Sequence, residues 1–134
     1  MDKVFIIEDD INVLSGLEAK FSSLGMSVSV NSGVEEAWKI MRSIISFRPD
    51  YIILDFVLPL TDASMILHDI KSNEATYNIP VFIFSDISEN DIKSQCHNWG
   101  DLYYFVKNDF SLDQFIEKVI RIIKNRKKNI KKLG

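Results

Sequence analysis

The chain alternates five short apolar segments with five longer segments in which apolar residues recur at helical spacing. Most of the short segments are continuous runs rich in Val, Ile, Phe and Tyr, which is typical of strands buried on both faces of a parallel sheet. They are Val4–Ile7, Met26–Val30, Tyr51–Leu54, Val81–Phe84 and Leu102–Val106. The second segment alternates apolar and polar residues, which predicts an edge strand with one wetter face.

The longer segments predict amphipathic helices that follow the strands. We expect the first helix to stop at Gly25, a residue type common just past a helix end. The second should start after Ser32 and end before Pro49, and its apolar stripe places Trp38 in the core.

The remaining helices complete five consecutive strand-helix units. The third is predicted from Ala63 to Ser72 with Met65 facing inward, and the last two start near Ser88 and at Ser111. Alternation of this kind predicts an α/β fold, in which a parallel sheet carries helices on both faces through right-handed crossovers.

The composition limits the classes of protein that the chain can belong to. Its 134 residues suit one domain, and its single cysteine excludes an internal disulfide framework and a cysteine-based zinc site. The start of the chain has no signal-peptide pattern, and no apolar run is long enough to cross a membrane. We therefore expect a cytoplasmic protein without a membrane partner.

The formal net charge of −3 hides a division of charge along the chain. Residues 1–120 carry nine basic and 19 acidic side chains, whereas residues 121–134 carry seven basic and no acidic ones. Partners must therefore be considered separately for the two parts. We expect one domain over residues 1–124 and a basic C-terminal extension over residues 125–134.

Charged and hydroxyl side chains follow four of the predicted strands. They are Glu8, Asp9 and Asp10 after the first, Asp55 after the third, Ser85 after the fourth and Lys107 after the fifth. Because ligands of open parallel sheets bind at the carboxyl ends of the strands, these side chains should converge on one crevice.

Carboxylates that converge in this way repel one another, and a hard cation such as Mg²⁺ relieves the repulsion. Lys107 adds a second positive charge, and Ser85 adds a hydroxyl donor. A carboxylate among such groups is suited to receive a phosphoryl group, because the charge on the transferring oxygens is neutralised in place. Asp55 is then predicted to be a nucleophile that forms an aspartyl phosphate.

Four segments in register resemble the response-regulator receiver domains of the CheY-like family, which serve two-component signal transduction. They are Val4–Asp10, Tyr51–Asp55 with Pro59, Ile79–Ser85, and Gly100 through Tyr104 to Lys107. The resemblance covers residues 3 to about 122 and implies a flavodoxin-like (βα)5 doubly wound sheet with strand order 2-1-3-4-5.

The family resemblance also implies roles for the acidic residues. Glu8 and Asp9 would hold Mg²⁺, Glu8 through a water molecule, and Asp55 would bind the metal and accept the phosphoryl group. The backbone carbonyl of Val57 would be a further metal ligand. We expect Asp10 to cap the first helix rather than to bind metal.

The remaining implied roles concern phosphoryl transfer and its output. Ser85 and Lys107 would contact the phosphoryl oxygens, and Tyr104 would be an aromatic switch that rotates inward. The donor would be a phosphohistidine on a sensor histidine kinase or a phosphotransfer protein, and the chain would catalyse only its own phosphorylation and dephosphorylation. Output would be a protein partner or homodimer contact on the fourth helix, fifth strand and fifth helix, which include Lys93, His97, Tyr103, Tyr104 and the Ser111–Lys124 helix.

Four positions depart from the family pattern. Asp86 follows Ser85 where a small residue is usual, and Asn108 follows Lys107 where a cis proline is usual, although the sequence itself favours a trans bond at Asn108. Ala63 and Asp101 replace a usual glycine and alanine and should be tolerated. Asp86 and Asn108 support a second hypothesis, a degenerate receiver that acts as a phosphorylation-independent interaction module.

A third hypothesis is a Mg²⁺-dependent phosphatase, which would need an acid two residues after Asp55, where the chain has Val57.

The basic extension could be a solvated end of the last helix, a docking tail for an acidic partner, or a weak contact for nucleic acid or membrane. Nucleic acid is disfavoured because no recognition fold is present. We expect Cys96, His68 and His97 to be solvated or partly packed, and Trp99 to contact either the core or a partner.

Overall fold

Five parallel strands make one sheet in the computed structural model, which describes residues 2–95 and 100–133. The strands are β1 Lys3–Ile7, β2 Ser27–Asn31, β3 Tyr51–Leu54, β4 Val81–Ser85 and β5 Leu102–Val106. Their order in the sheet is β2-β1-β3-β4-β5, which confirms the predicted strand order. The predictions for Cys96, His97 and Trp99 lie outside the described residues.

A helix follows each strand, so the doubly wound, flavodoxin-like α/β fold is confirmed. The helices are α1 Ile11–Ser23, α2 Ala37–Phe47, α3 Ala63–Ser72, α4 Glu89–Gln95 and α5 Leu112–Leu133. A single 3₁₀ turn at Lys107–Asp109 connects β5 to the loop before α5.

The core consists of two apolar layers, one on each face of the sheet. One layer packs α2, α3 and α4 against the sheet, and the other packs α1 and α5 against the opposite face. Alternate residues of a strand enter different layers, as Phe5 and Ile6 of β1 do. The edge strand β2 is only partly buried, as predicted, but β5 lies at the other edge and is half-buried throughout rather than buried on both faces.

The start of α2 differs from the sequence-based prediction. The helix begins at Ala37 rather than just after Ser32, because the connection from β2 needs a turn. Gly33 has φ +74°, and the Oδ1 of Asn31 accepts a hydrogen bond from its backbone N–H at 2.8 Å. The side chain of Leu58 packs against Gly33 so closely that an added Cβ would lie 2.6 Å from Leu58 Cδ2. A helix cannot include a residue in this conformation.

Two predicted core residues are exposed instead. Trp38 is 55% exposed and Met65 is 57% exposed. In α2 the buried face is formed by Ile40, Met41 and Ile44, so Trp38 lies at the margin of an apolar arc that is wider than the face meeting the sheet. On α3 the fully buried Ile66 marks the side that meets the sheet, and Met65, one residue earlier, lies outside that side.

Both ends of α1 are satisfied by short-range hydrogen bonds. The Oδ1 of Asp10 accepts hydrogen bonds from the backbone N–H groups of Asn12 and Val13, so Asp10 is the N-cap that the sequence predicted. At the other end the capping residue is Leu24, and Gly25 follows it with φ +84° and donates to Ser22 O at 3.0 Å. Gly25 therefore ends the helix from the position after the cap.

The last helix continues without a break past residue 124. Arg126 donates a hydrogen bond to the carboxylate of Asp101, just before β5, and Lys127 Nζ lies 2.7 Å from Asp2 Oδ2, just before β1. These ion pairs attach the basic part of α5 to the amino-terminal edge of the sheet. A division of the chain at residue 124 stays a prediction. None of the helices described is long and apolar enough to cross a lipid bilayer.

We expect Phe115→Ala to lower the free energy of unfolding by about 3–5 kcal/mol, because it opens a cavity in the layer between α5 and the sheet. Phe115 is fully buried, and its ring stacks on that of Phe84 with a centroid separation of 4.0 Å. Urea denaturation followed by circular dichroism measures the loss. Ile130→Ala is the control, because Ile130 is 64% exposed on the same helix and its truncation should change stability by less than about 0.5 kcal/mol.

Candidate functional site

Two acidic residues meet at the carboxyl edge of the sheet because β1 and β3 pair in parallel. Ile7 lies opposite Leu54 in the register, so Glu8 and Asp55 leave their strands side by side. The backbone N–H of Asp55 donates to Ile7 O at 2.9 Å, and that of Glu8 donates to Asn31 O at 3.0 Å. Both carboxylates are buried, with 1% of Glu8 and 3% of Asp55 exposed.

The ammonium group of Lys107 bridges these two carboxylates. Its Nζ lies 2.8 Å from Glu8 Oε1 and 3.0 Å from Asp55 Oδ2. The peptide bond between Lys107 and Asn108 is trans, as the sequence favoured, and the lysine still reaches the carboxylates. The absence of proline at position 108 therefore does not displace the lysine.

The pKa of Glu8 is raised in this site, which is buried and carries more negative than positive charge. Burial is the main cause that raises the pKa of Glu8 to about 8, while the hydrogen bond from Lys107 lowers it and the neighbouring Asp55 raises it further. Burial also disfavours the charged form of Lys107, but its hydrogen bonds to Glu8 and Asp55 outweigh this and raise the pKa of the lysine. A proton on Glu8 makes the group of Glu8, Asp55 and Lys107 neutral.

Asp9 completes a cluster of three carboxylates. One carboxylate oxygen from each of Glu8, Asp9 and Asp55 lies within 4.8 Å of the others, and Asp9 is exposed to solvent while the other two are buried. Oxygen ligands from one or two carboxylates, completed by water, are the set that Mg²⁺ prefers. The donor set therefore fits a hard divalent cation, with the open side at Asp9.

The other residues of the predicted site follow β3 or lie at the end of β4. Ser85 is fully buried at the end of β4, and its Oγ has no hydrogen-bond partner among the described residues. The backbone N–H of Val57 donates to Asp55 Oδ1 at 3.0 Å, which fixes the loop that follows β3. The role of the Val57 carbonyl as a metal ligand stays a prediction. Asp86, next to Ser85, is exposed.

The two adjacent tyrosines of β5 face opposite sides of the sheet. Tyr103 belongs to the layer of α1 and α5, where its ring stacks on Phe82 at a centroid separation of 5.0 Å. Tyr104 packs on the layer of α2, α3 and α4, and the Nζ of Lys93 lies 5.4 Å from the centre of its ring. Tyr104 is thus the tyrosine on the side of α4, and its role as a switch stays a prediction.

Two features of the site were not predicted from the sequence. The contact between Lys107 and Glu8 joins residues 99 positions apart, and no local pattern indicates it. Asn31 supports Glu8 through its carbonyl and holds Gly33 through its side chain. An asparagine at a strand end, two residues before a glycine, was the available signal for this turn.

The strand order and the acidic carboxyl edge define a CheY-like receiver fold within the flavodoxin-like α/β class. Solved structures agree with this. The receiver domain of Francisella response regulator 1452 matches with a TM-score of 0.75 at 24% identity, covering 94% of this chain and 99% of that one. The receiver domain of sensor histidine kinase PA1611 from Pseudomonas aeruginosa, which has a magnesium ion in its active-site cleft, matches with a TM-score of 0.73 at 22% identity, covering 90% and 95%. At these identities the matches show the fold alone.

The chain belongs to the response regulator receiver domain family, whose model matches residues 4–120. The transcriptional regulatory protein PrrA of Mycobacterium leprae is 27% identical over 124 residues, which are 92% of this chain and 51% of that protein. The chain thus spans about half the length of this curated relative. Receiver domains of this family are regulatory domains of two-component systems rather than metabolic enzymes; they interact with sensor histidine kinases and bind Mg²⁺.

We expect the free energy of unfolding, measured with a chelator present, to fall as the pH rises from about 4.5 to about 8. The folded chain keeps a proton on Glu8 in this range, whereas the unfolded chain releases it, so rising pH favours the unfolded state. Urea titrations across the range measure the slope for wild type and for Glu8→Gln, which cannot ionise and should flatten it. Glu18→Gln, an exposed change on α1, should keep the wild-type slope. An unchanged slope in Glu8→Gln would contradict the prediction.

Proposed function

We propose that this chain is the phosphoacceptor of a two-component system or phosphorelay, and that Asp55 takes a phosphoryl group from a phosphohistidine. The donor would be a sensor histidine kinase or a histidine phosphotransfer protein. The single observation that carries the proposal is the buried Asp55 carboxylate, held by the Lys107 ammonium at 3.0 Å and placed beside two further carboxylates. Membership of the receiver family supports the same role.

The chemistry follows from the groups around Asp55. A carboxylate oxygen of Asp55 forms a bond to phosphorus while the bond from phosphorus to the donor imidazole nitrogen breaks, and the imidazole leaves with the electron pair and takes up a proton. Lys107 balances charge on the phosphoryl oxygens, and the unpaired Oγ of Ser85 is a hydroxyl donor at the neighbouring strand end. Water on the same phosphorus later returns Asp55 to its carboxylate form.

The acidic cluster would hold Mg²⁺ through Asp9 and Asp55 and, by way of a water molecule, Glu8, with the Val57 carbonyl as a further ligand. When bound, the ion supplies positive charge that offsets the phosphoryl oxygens. The chain's own residues concentrate negative charge there, because the Lys107 ammonium pairs with two carboxylates and a third lies beside them. Cation binding should release the proton held by Glu8.

Phosphorylation would replace the single negative charge of the Asp55 carboxylate, next to β4, with the roughly −1.5 to −2 charges of a phosphoryl group. We propose that Ser85 and Tyr104 respond to this charge and alter the face formed by α4, β5 and α5, which then binds a downstream protein or a second copy of the chain. Lys93 and Tyr104 already contact each other on this face, so a rotation of the Tyr104 ring would also change the position of Lys93. The cytoplasmic location stays a prediction.

The second candidate function, an interaction module that is never phosphorylated, has one specific observation behind it. Asp86 places an exposed carboxylate directly after Ser85, where it would repel an incoming phosphate group. Asn108 no longer favours this function, since Lys107 keeps its contacts to Glu8 and Asp55 without a proline.

Incubation with acetyl phosphate and Mg²⁺ should add one phosphoryl group to the chain, detected by intact-mass spectrometry. Asp55→Asn should remove the adduct, because the amide is not a nucleophile. The matched control is Asp62→Asn, because Asp62 caps α3 in the loop after the same strand and asparagine caps equally well.

Three results would contradict this assignment. An adduct that persists in Asp55→Asn places the phosphoryl group elsewhere. No adduct from acetyl phosphate or from a phosphohistidine donor favours the interaction module. Rapid turnover of small phosphate esters would instead indicate a phosphatase.

We expect Asp86→Ala to speed labelling by acetyl phosphate roughly two- to fivefold, the factor that about 0.5–1 kcal/mol of like-charge repulsion represents. Initial rates at low ionic strength measure the change, and added salt should reduce it. Asp91→Ala removes the same charge from an exposed site on α4 and should leave the rate unchanged. Equal rates for Asp86→Ala and wild type would show that this carboxylate does not obstruct the donor.

A further inference from the structure

A groove of about 700 Å³ runs between α1 and α5, away from the carboxyl edge where Asp55 lies. Its apolar lining comes from Leu24 at the end of α1 and from Ile116 and Ile120 on α5. Leu24 is 56% exposed, although it belongs to a helix end that is otherwise well satisfied. Ile116 forms the buried floor of the groove, Ile120 is partly buried, and Leu24 presents its apolar side chain to solvent where the two helices meet.

The charges on the rim of the groove are unevenly distributed. Near its start, Lys20 is paired with Asp113, so these two charges cancel. Farther along α5, Arg121, Lys124 and Lys128 line the groove, and they form no ion pair with any residue that the structure describes. Their spacing of three and four residues puts them on one side of the helix.

The basic residues next to this row on α5 are placed differently. Arg126 and Lys127 point to the sheet edge, where they are paired with Asp101 and Asp2. The basic part of α5 is thus divided into an inner pair that attaches the helix and an outer row that keeps its charge available. Two acidic residues line the groove, and Asp113 is paired with Lys20. Glu117 forms no ion pair with the residues that the structure describes, so it is the acidic charge left beside the basic row.

We propose that the groove binds an amphipathic helix with acidic side chains, contributed by a partner protein. Apolar side chains spaced one turn apart on that helix would contact Leu24 and Ile120, and its carboxylates would face Lys124 and Lys128. Binding here would use the α1 side of α5 and would leave the α4 side of the α4–β5–α5 face accessible.

Protein rather than nucleic acid is the occupant that the lining favours. Phosphate backbones would meet the basic row but would leave Leu24 in contact with no apolar surface. A bilayer surface is disfavoured because the apolar side chains lie in a groove between helices rather than on a projecting face.

Two labelled peptides test the proposal by fluorescence anisotropy with the unphosphorylated chain. Both are helical and share the same apolar positions, but one carries glutamate and the other lysine elsewhere. The glutamate peptide should bind wild type more tightly than the lysine peptide does. Lys124→Glu combined with Lys128→Glu should weaken binding of the glutamate peptide about tenfold and strengthen binding of the lysine peptide. A misfolded variant would not show the second effect.

Two further variants complete the test. Leu24→Ser should weaken binding of the glutamate peptide while leaving the charge of the groove unchanged. Lys39→Glu combined with Arg42→Glu makes the same change of charge on exposed positions of α2 and should have no effect. The proposal is overturned if the glutamate peptide shows no saturable binding, or if both charge variants weaken it equally. Tighter binding of duplex DNA or anionic vesicles, indifferent to Leu24→Ser, would also overturn it.

Discussion

The ammonium group of Lys107 is the interaction on which the carboxyl edge of the sheet depends. Glu8 and Asp55 come from neighbouring strands, and both are buried, so their charges would be costly without a counter-charge. One lysine at 2.8 and 3.0 Å compensates for two carboxylates only in part. The edge is therefore left with a negative charge in excess, which a proton on Glu8 or a bound cation would neutralise.

This imbalance is confined to the edge, while the rest of the sheet is conventional. The central strands are buried between two apolar layers, and stacked rings such as Phe84 on Phe115 fill the layer beneath α5. A well-packed sheet supports a polar site because the site's residues occupy strand ends and do not interrupt the layers. At the opposite edge, the basic residues of α5 pair with Asp101 and Asp2. Two acidic side chains of the body thus compensate part of the positive charge of α5 at this edge.

The sequence predicted the fold well because each strand is a compact apolar run and each strand end is marked by a polar residue. It predicted less well where an apolar pattern was wider than the buried face, as with Trp38 on α2. It also missed contacts between distant residues, such as Lys107 with Glu8 and Lys127 with Asp2, because these depend on how the finished sheet brings chain segments together. The roles of Asp55, Ser85 and Tyr104 in phosphoryl transfer are still predictions.

The contact between Gly33 and Leu58 links the loop that follows Asp55 to a residue that has no side chain of its own. Leu58 lies in the loop after Asp55, one residue beyond Val57, and its side chain occupies the space where a Cβ of residue 33 would be. Any side chain at position 33 would force the Leu58 side chain to move and would also be strained by the φ of +74°. Position 33 thus requires glycine first for its backbone conformation and second for the space that the Leu58 side chain takes.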